Sequence, residues 1–119
     1  MKVNLAISQV FVPTYRGNRD LPEEDQIKVT YRLMSAAQEE KFSKMSARSD
    51  GSGEYMVAIE PKAVEIFGEC VTSISGLCDM ANNPITEPSK VLAIPGIYEL
   101  VSEVAAEIKK GLTEEDSKN

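Results

Sequence analysis

The residues best suited to chemistry in this 119-residue chain are two cysteines and a run of carboxylates. Cys70 and Cys78 have seven residues between them, so two helical turns would bring both to roughly one side. A zinc or redox pair needs a spacing of two to four, or further ligands nearby. The surrounding sequence supplies none, and both read as small core residues with free thiols. Glu99, Glu103 and Glu107 recur at every fourth position. On a helix they form an acidic stripe whose like charges cost about 0.2–0.5 kcal/mol per pair. A basic partner would relieve that cost. The plainer alternative is a solvated face, relieved in part by Lys110 near Glu107. Three aligned carboxylates also have the form of a metal site or an acid–base pair, but the sequence provides no nucleophile or electrophile to accompany them. Asp50, Gly51, Gly53 and Glu54 hint at a calcium loop, and the spacing fails: with either glycine at the sixth position, the twelfth falls on Val57 or Ile59.

The chain has no histidine and no tryptophan. Histidine is the usual general base near neutral pH and the commonest metal ligand. Ser8, Ser35, Ser73 and Ser75 have no nucleophile-elbow setting and no histidine to form a triad. No phosphate-cradling glycine motif is present. The expectation is a protein that works by binding, with no catalytic residue, cofactor or metal.

Composition narrows the partners. Net charge is −6 and the pI is about 4.7, so nucleic acid and anionic membranes are poor partners. The few aromatics are not interleaved with basic residues, as single-strand stacking would require. Apolar residues are 42% and charged residues 27%, enough for one ordinary core. The apolar stretch from Val3 to Ile7 is too short for a signal sequence, and no run reaches membrane-span length. A reducing cytoplasm is the expected location.

The elements that must position these residues follow from periodicity. Residues 3–12 alternate as a strand ended by Pro13, and 13–25 read as a loop rich in turn residues. Residues 26–33 are the cleanest strand, with Ile27, Val29, Tyr31 and Leu33 on one face and Lys28, Thr30 and Arg32 on the other. One buried and one wet face imply an antiparallel sheet. Ser35 and Gln38 form a capping box for a peripheral helix over 36–46, whose thin stripe is Ala37, Phe42 and Met45. Residues 47–54 read as a flexible loop and 55–60 as a third strand. From Pro61, apolar residues at Val64, Phe67, Val71, Ile74 and Cys78 favour a helix, though the β-branched run predicts a stop near 72. Residues 79–94 read as loop. Residues 96–110 are the most regular helix, with Ile97, Leu100, Val101, Val104 and Ile108 in one stripe and Gly111 as its cap. The expected fold is a single α+β domain over 1–111: a small antiparallel sheet of about three strands with two or three helices packed on it. Residues 112–119 read as an acidic flexible tail.

The order of short segments adds a resemblance. Residues 11–33, FVPTYRGNRDLPEEDQIKVTYRL, are similar to the opening of small proteins from the tail gene modules of long-tailed bacteriophages, or of prophages. Those carry an extended V-P segment, then N-R-x-L-P-x-x-x-Q-I and an alternating strand. The helix from Ser35 to Phe42 fits the same pattern, as do Ile94-Pro95-Gly96, the amphipathic helix that follows, Leu112-Thr113-Glu114-Glu115 and Lys118-Asn119. In all, the resemblance spans about two thirds of the chain.

Such proteins are tail assembly chaperones. The resemblance implies binding to the tape measure protein, and in some cases to tail tube subunits, to keep them soluble in the host cytoplasm until the tube polymerises. It also implies a longer form of the same chain made by ribosomal frameshifting, since Lys118-Asn119 can be encoded as a slippery AAA AAC; Lys109-Lys110 offers another slip. A long helical client exposes apolar stripes, which a spare helix face covers. The expected contact surface is Ile97, Leu100, Val101, Val104 and Ile108 with the flanking Glu99, Glu103 and Glu107; packing of the same stripe on the chain's own sheet is the competing expectation. A homo-oligomer is compatible with either. The alternative functions are a structural phage component retained in the virion, such as a tail terminator or head–tail connector, and a bacterial regulatory or antitoxin-like binding protein.

Overall fold

The computed structural model describes residues 1–5, 7–43, 48–49, 55–56 and 62–118, with backbone alone for 43, 48–49, 55–56 and 111–118. It is an α+β fold built on a three-stranded antiparallel sheet of order β1-β2-β5. β1 (Ser8–Phe11) pairs with β2 (Lys28–Arg32), Gln9 opposite Tyr31 and Phe11 opposite Val29. β2 pairs in turn with β5 (Val71–Ser75), with a register irregularity between Thr30 and Tyr31. β3 (Arg48–Ser49) and β4 (Tyr55–Met56) form a separate two-stranded ribbon. The helices are α1 (Ala36–Ser43), α2 (Ala63–Cys70), α3 (Pro88–Leu92) and α4 (Tyr98–Lys118).

β2 forms as its alternation dictates. Ile27, Val29 and Tyr31 are buried and Leu33 is half-buried, while Arg32 is exposed. One continuous core joins this face to Phe42 of α1, Ile66, Phe67 and Cys70 of α2, Ile74 of β5, Val91 of α3 and the stripe of α4. α4 packs chiefly on α2, and α3 packs on α2 and β5.

Four segments refine or depart from the expected layout. The apolar series from Val64 to Cys78 is helical only to Cys70, close to the stop near 72 that its β-branched run predicts, and the part beyond, which the periodicity leaves open between helix and strand, is strand. α2 ends at Cys70 and the chain turns directly into β5, because Val71, Thr72 and Ile74 are β-branched and complete the sheet edge beside β2. Val64 is left exposed, as is Cys78, which sits in an isolated bridge to Pro84. Within the expected 79–94 loop lies α3, with Pro88 in its first turn and Val91 fully buried. Gly111 does not end α4, whose helical backbone runs to Lys118. Strand pairing in the first element is confined to Ser8–Phe11 instead of 3–12.

The capping box is as the sequence implies, and a glycine close approach adds a second local device. Ser35 and Gln38 bond reciprocally at the start of α1: Gln38 N–H donates to Ser35 Oγ at 3.2 Å, and Ser35 N–H donates to Gln38 Oε1 at 3.0 Å. Gly76, at φ +88°, lets β5 pass so close to β2 that an added Cβ would lie 2.3 Å from the Gln26 carbonyl oxygen. The former calcium-loop candidates at 50–54 lie outside the described residues, as do Met45 and residues 57–60.

Candidate functional site

The loop carrying N-R-x-L-P-x-x-x-Q-I is organised from within. Asn18 is the buried polar residue of the core, and its side chain makes three bonds. Nδ2 donates to the Pro13 carbonyl at 2.8 Å and to the Ile27 carbonyl at 3.1 Å, while Oδ1 accepts from Ile27 N–H at 2.6 Å. Arg19 Nε donates to the Val12 carbonyl at 2.9 Å and its guanidinium lies 5.8 Å from the Phe11 ring. Gln26 Nε2 donates to the carbonyls of Arg19 and Leu21. These residues close the loop 13–27 onto the start of β2 and satisfy its buried backbone groups. The motif is therefore a scaffold at Asn18, Arg19 and Gln26; Leu21 stays exposed.

The helix surface expected to face a partner is placed differently. Leu100, Val104 and Ile108 are fully buried, Val101 is 1% exposed and Ile97 8%. In the folded chain these five side chains are core and offer no free face. The reason is reciprocal: α2 presents Ile66, Phe67 and Cys70, and α4 carries the apolar stripe long enough to cover them. The acidic stripe is divided. Glu99 is exposed, Glu103 and Glu107 are half-buried, and Glu103 is engaged within the chain: its Oε2 accepts from Thr14 N–H at 2.7 Å and from Thr14 Oγ1 at 2.8 Å. Tyr15 adds a long 3.4 Å bond from its hydroxyl to the Gly96 carbonyl. Glu103 thus pins the motif loop to α4.

Exposed apolar side chains gather instead at the N-terminal segment. Met1, Val3 and Leu5 are almost fully solvated, Ile7 is 43% exposed and Val10 62%. Beside this segment is a groove of about 340 Å³ between the end of β2, the start of α1 and the end of α2. Leu5, Ile7, Leu33 and Met34 give it apolar walls; Arg32 and Glu69 give it a charged rim. Lys41 Nζ bridges Glu69 at 2.6 Å and Glu65 at 3.3 Å, which ties α1 to α2 under the rim. That bond, with one from Gln38, holds the Glu69 carboxyl below its ordinary range, and the same pairing raises Lys41. Cys70 also reaches the groove, yet burial pushes its thiol up to about 11, so it is a poor nucleophile at neutral pH. Among the described residues, no cluster of three or more Cys, Asp or Glu is arranged to hold a metal ion. No described helix is long and apolar enough to cross a membrane.

The groove is open and of mixed lining: Leu5, Ile7, Leu33 and Met34 face Asn4, Arg32, Ser35, Gln38 and Glu69, so it suits a partner side chain with both apolar and polar parts. Periodicity did not mark it, because it depends on β2, α1 and α2 meeting. Comparison with protein-family models, curated proteins and solved structures yields no match.

Proposed function

We propose that this protein is a phage tail assembly chaperone. It binds the tape measure protein, together with tail tube subunits, in the host cytoplasm and holds them soluble until the tail tube forms, without catalysis. The observation that carries the binding half of this reading is the exposed apolar row Val3, Leu5 and Ile7 beside the Leu33–Met34 groove. Exposed apolar surface of this kind marks a contact site for another chain. The tail-assembly half rests on the resemblance of residues 11–33. Since the α4 stripe is committed to the core, the client contact belongs to the groove, where an apolar anchor from a helical client would pack on the exposed Leu5 and Ile7 side chains beside Leu33.

The test is co-expression with a tape measure candidate from a neighbouring gene, followed by affinity capture. The expected outcome is a soluble complex, lost on Leu33→Glu while that variant keeps its circular dichroism spectrum. Absence of the chain from purified virions is expected as well. Stable retention in particles would instead assign it to the structural class of tail terminator or connector. Failure to capture the client by the wild-type chain would overturn the chaperone reading.

A further inference from the structure

We propose that Arg32 is the specificity-determining residue of the groove, and that the segment it selects is a helix of a partner protein with an apolar side chain and, one turn away, an Asp or Glu. The inference rests on the groove being the contact site and names what enters it. Apart from the buried Cys70 thiol, five groove side chains carry a charge or a hydrogen-bonding group: Asn4, Arg32, Ser35, Gln38 and Glu69. Four of them are engaged within the chain. Ser35 Oγ accepts from Gln38 N–H, and Gln38 Oε1 accepts from Ser35 N–H. Gln38 Nε2 donates to one Glu69 oxygen at 3.2 Å, and Lys41 Nζ donates to the other at 2.6 Å. Asn4 has a partner of its own. Arg32 differs: it is exposed and makes no hydrogen bond, ion pair or ring contact among the described residues.

The chemistry of that free group names the partner. A guanidinium is permanently charged and holds its N–H donors in a planar fork that matches the two oxygens of a carboxylate. Its surroundings favour an anion. The chain carries net charge −6, yet β1, β2 and β5 contain no Asp or Glu, and their charged residues are Lys28 and Arg32. Lys28 already faces Glu23 at 3.5 Å. At the other side of the rim, Glu69 is neutralised by Lys41, so it has little to offer a cationic side chain. Nucleic acid, the other common source of anions, is repelled by the net charge. The apolar walls call for an apolar side chain beside the carboxylate, and a helix supplies the pair, because residues three or four apart lie on one face with Cβ atoms about 5–6 Å apart.

The probe is a synthetic alanine-based helical peptide with one Leu and one Glu a single turn apart, titrated into the full chain by fluorescence anisotropy beside the same peptide with Gln in place of Glu. The Glu peptide is expected to bind about fivefold tighter, the worth of one exposed ion pair. That margin should shrink in about 0.5 M salt and vanish in Arg32→Gln. Arg32→Lys, which keeps the charge and loses the fork, should retain part of it. Arg32 is exposed, so both variants should keep the wild-type circular dichroism spectrum. No binding of either peptide, equal binding of the two, a margin that persists in Arg32→Gln, or tighter binding of a Lys peptide would each overturn the proposal. Client capture separates this inference from the chaperone reading. A chain that prefers the Glu peptide yet captures no tape measure candidate removes only that reading. One that captures the candidate equally well with Arg32→Gln removes only this inference.

Discussion

At the scale of single residues, polar groups in this chain do more structural than chemical work. Asn18 shows why. A buried side-chain amide is tolerated only when its donors and acceptor are paired, and Asn18 pairs with three backbone groups of the loop it closes. Alanine at this site leaves Ile27 N–H and two carbonyls without partners, at about 1–3 kcal/mol for each group left unsatisfied. Asn18→Ala is therefore expected to lower stability by at least about 2 kcal/mol, read as a lower urea midpoint with an unchanged m-value. An effect under about 0.5 kcal/mol would show that water replaces the amide. Of the residues singled out for chemistry in the sequence, Cys70 is held inert by burial, and Glu103 is spent on Thr14.

At the scale of elements, the decisive contacts run between segments far apart in sequence. Glu103 reaches 89 residues back to Thr14, so α4 holds the motif loop as well as α2. Hydrogen bonds to a charged group are worth about 1.5–3 kcal/mol, and Glu103 makes two to one residue. Glu103→Ala is expected to cost about 1–3 kcal/mol and to speed amide exchange at Thr14 selectively, measured by native-state hydrogen exchange. Uniform acceleration over the whole chain would instead mean that the carboxylate supports the fold globally. β2, the capping box at Ser35 and the regular stripe of α4 were all legible in the sequence, because period and caps are local properties. α3 was not, and at the junction of α2 and β5 the β-branched run marked the helix stop but not the strand that follows. The same apolar spacing fits a helix, and only the vacancy beside β2 draws Val71 to Ser75 into the sheet.

At the scale of the whole molecule, α4 lies at the centre of the stability argument. Val104 is fully buried, and Val104→Asp places a carboxylate in a dry core with no partner. The expected result is loss of the cooperative thermal transition, followed by circular dichroism, rather than a folded protein deficient in one interaction. A Val104→Asp variant that kept its cooperative thermal transition would return the stripe to the surface. Alternation, helical period and turn chemistry determined by themselves that this chain is a small acidic α+β domain with a half-buried central strand and an amphipathic last helix. They could not assign the use of an apolar face, because an amphipathic stripe has the same sequence whether it meets its own core or another protein. The tertiary structure decided that. It consumed the α4 stripe against α2 and left Val3, Leu5 and Ile7 in solvent, since β2 ends too early to cover them.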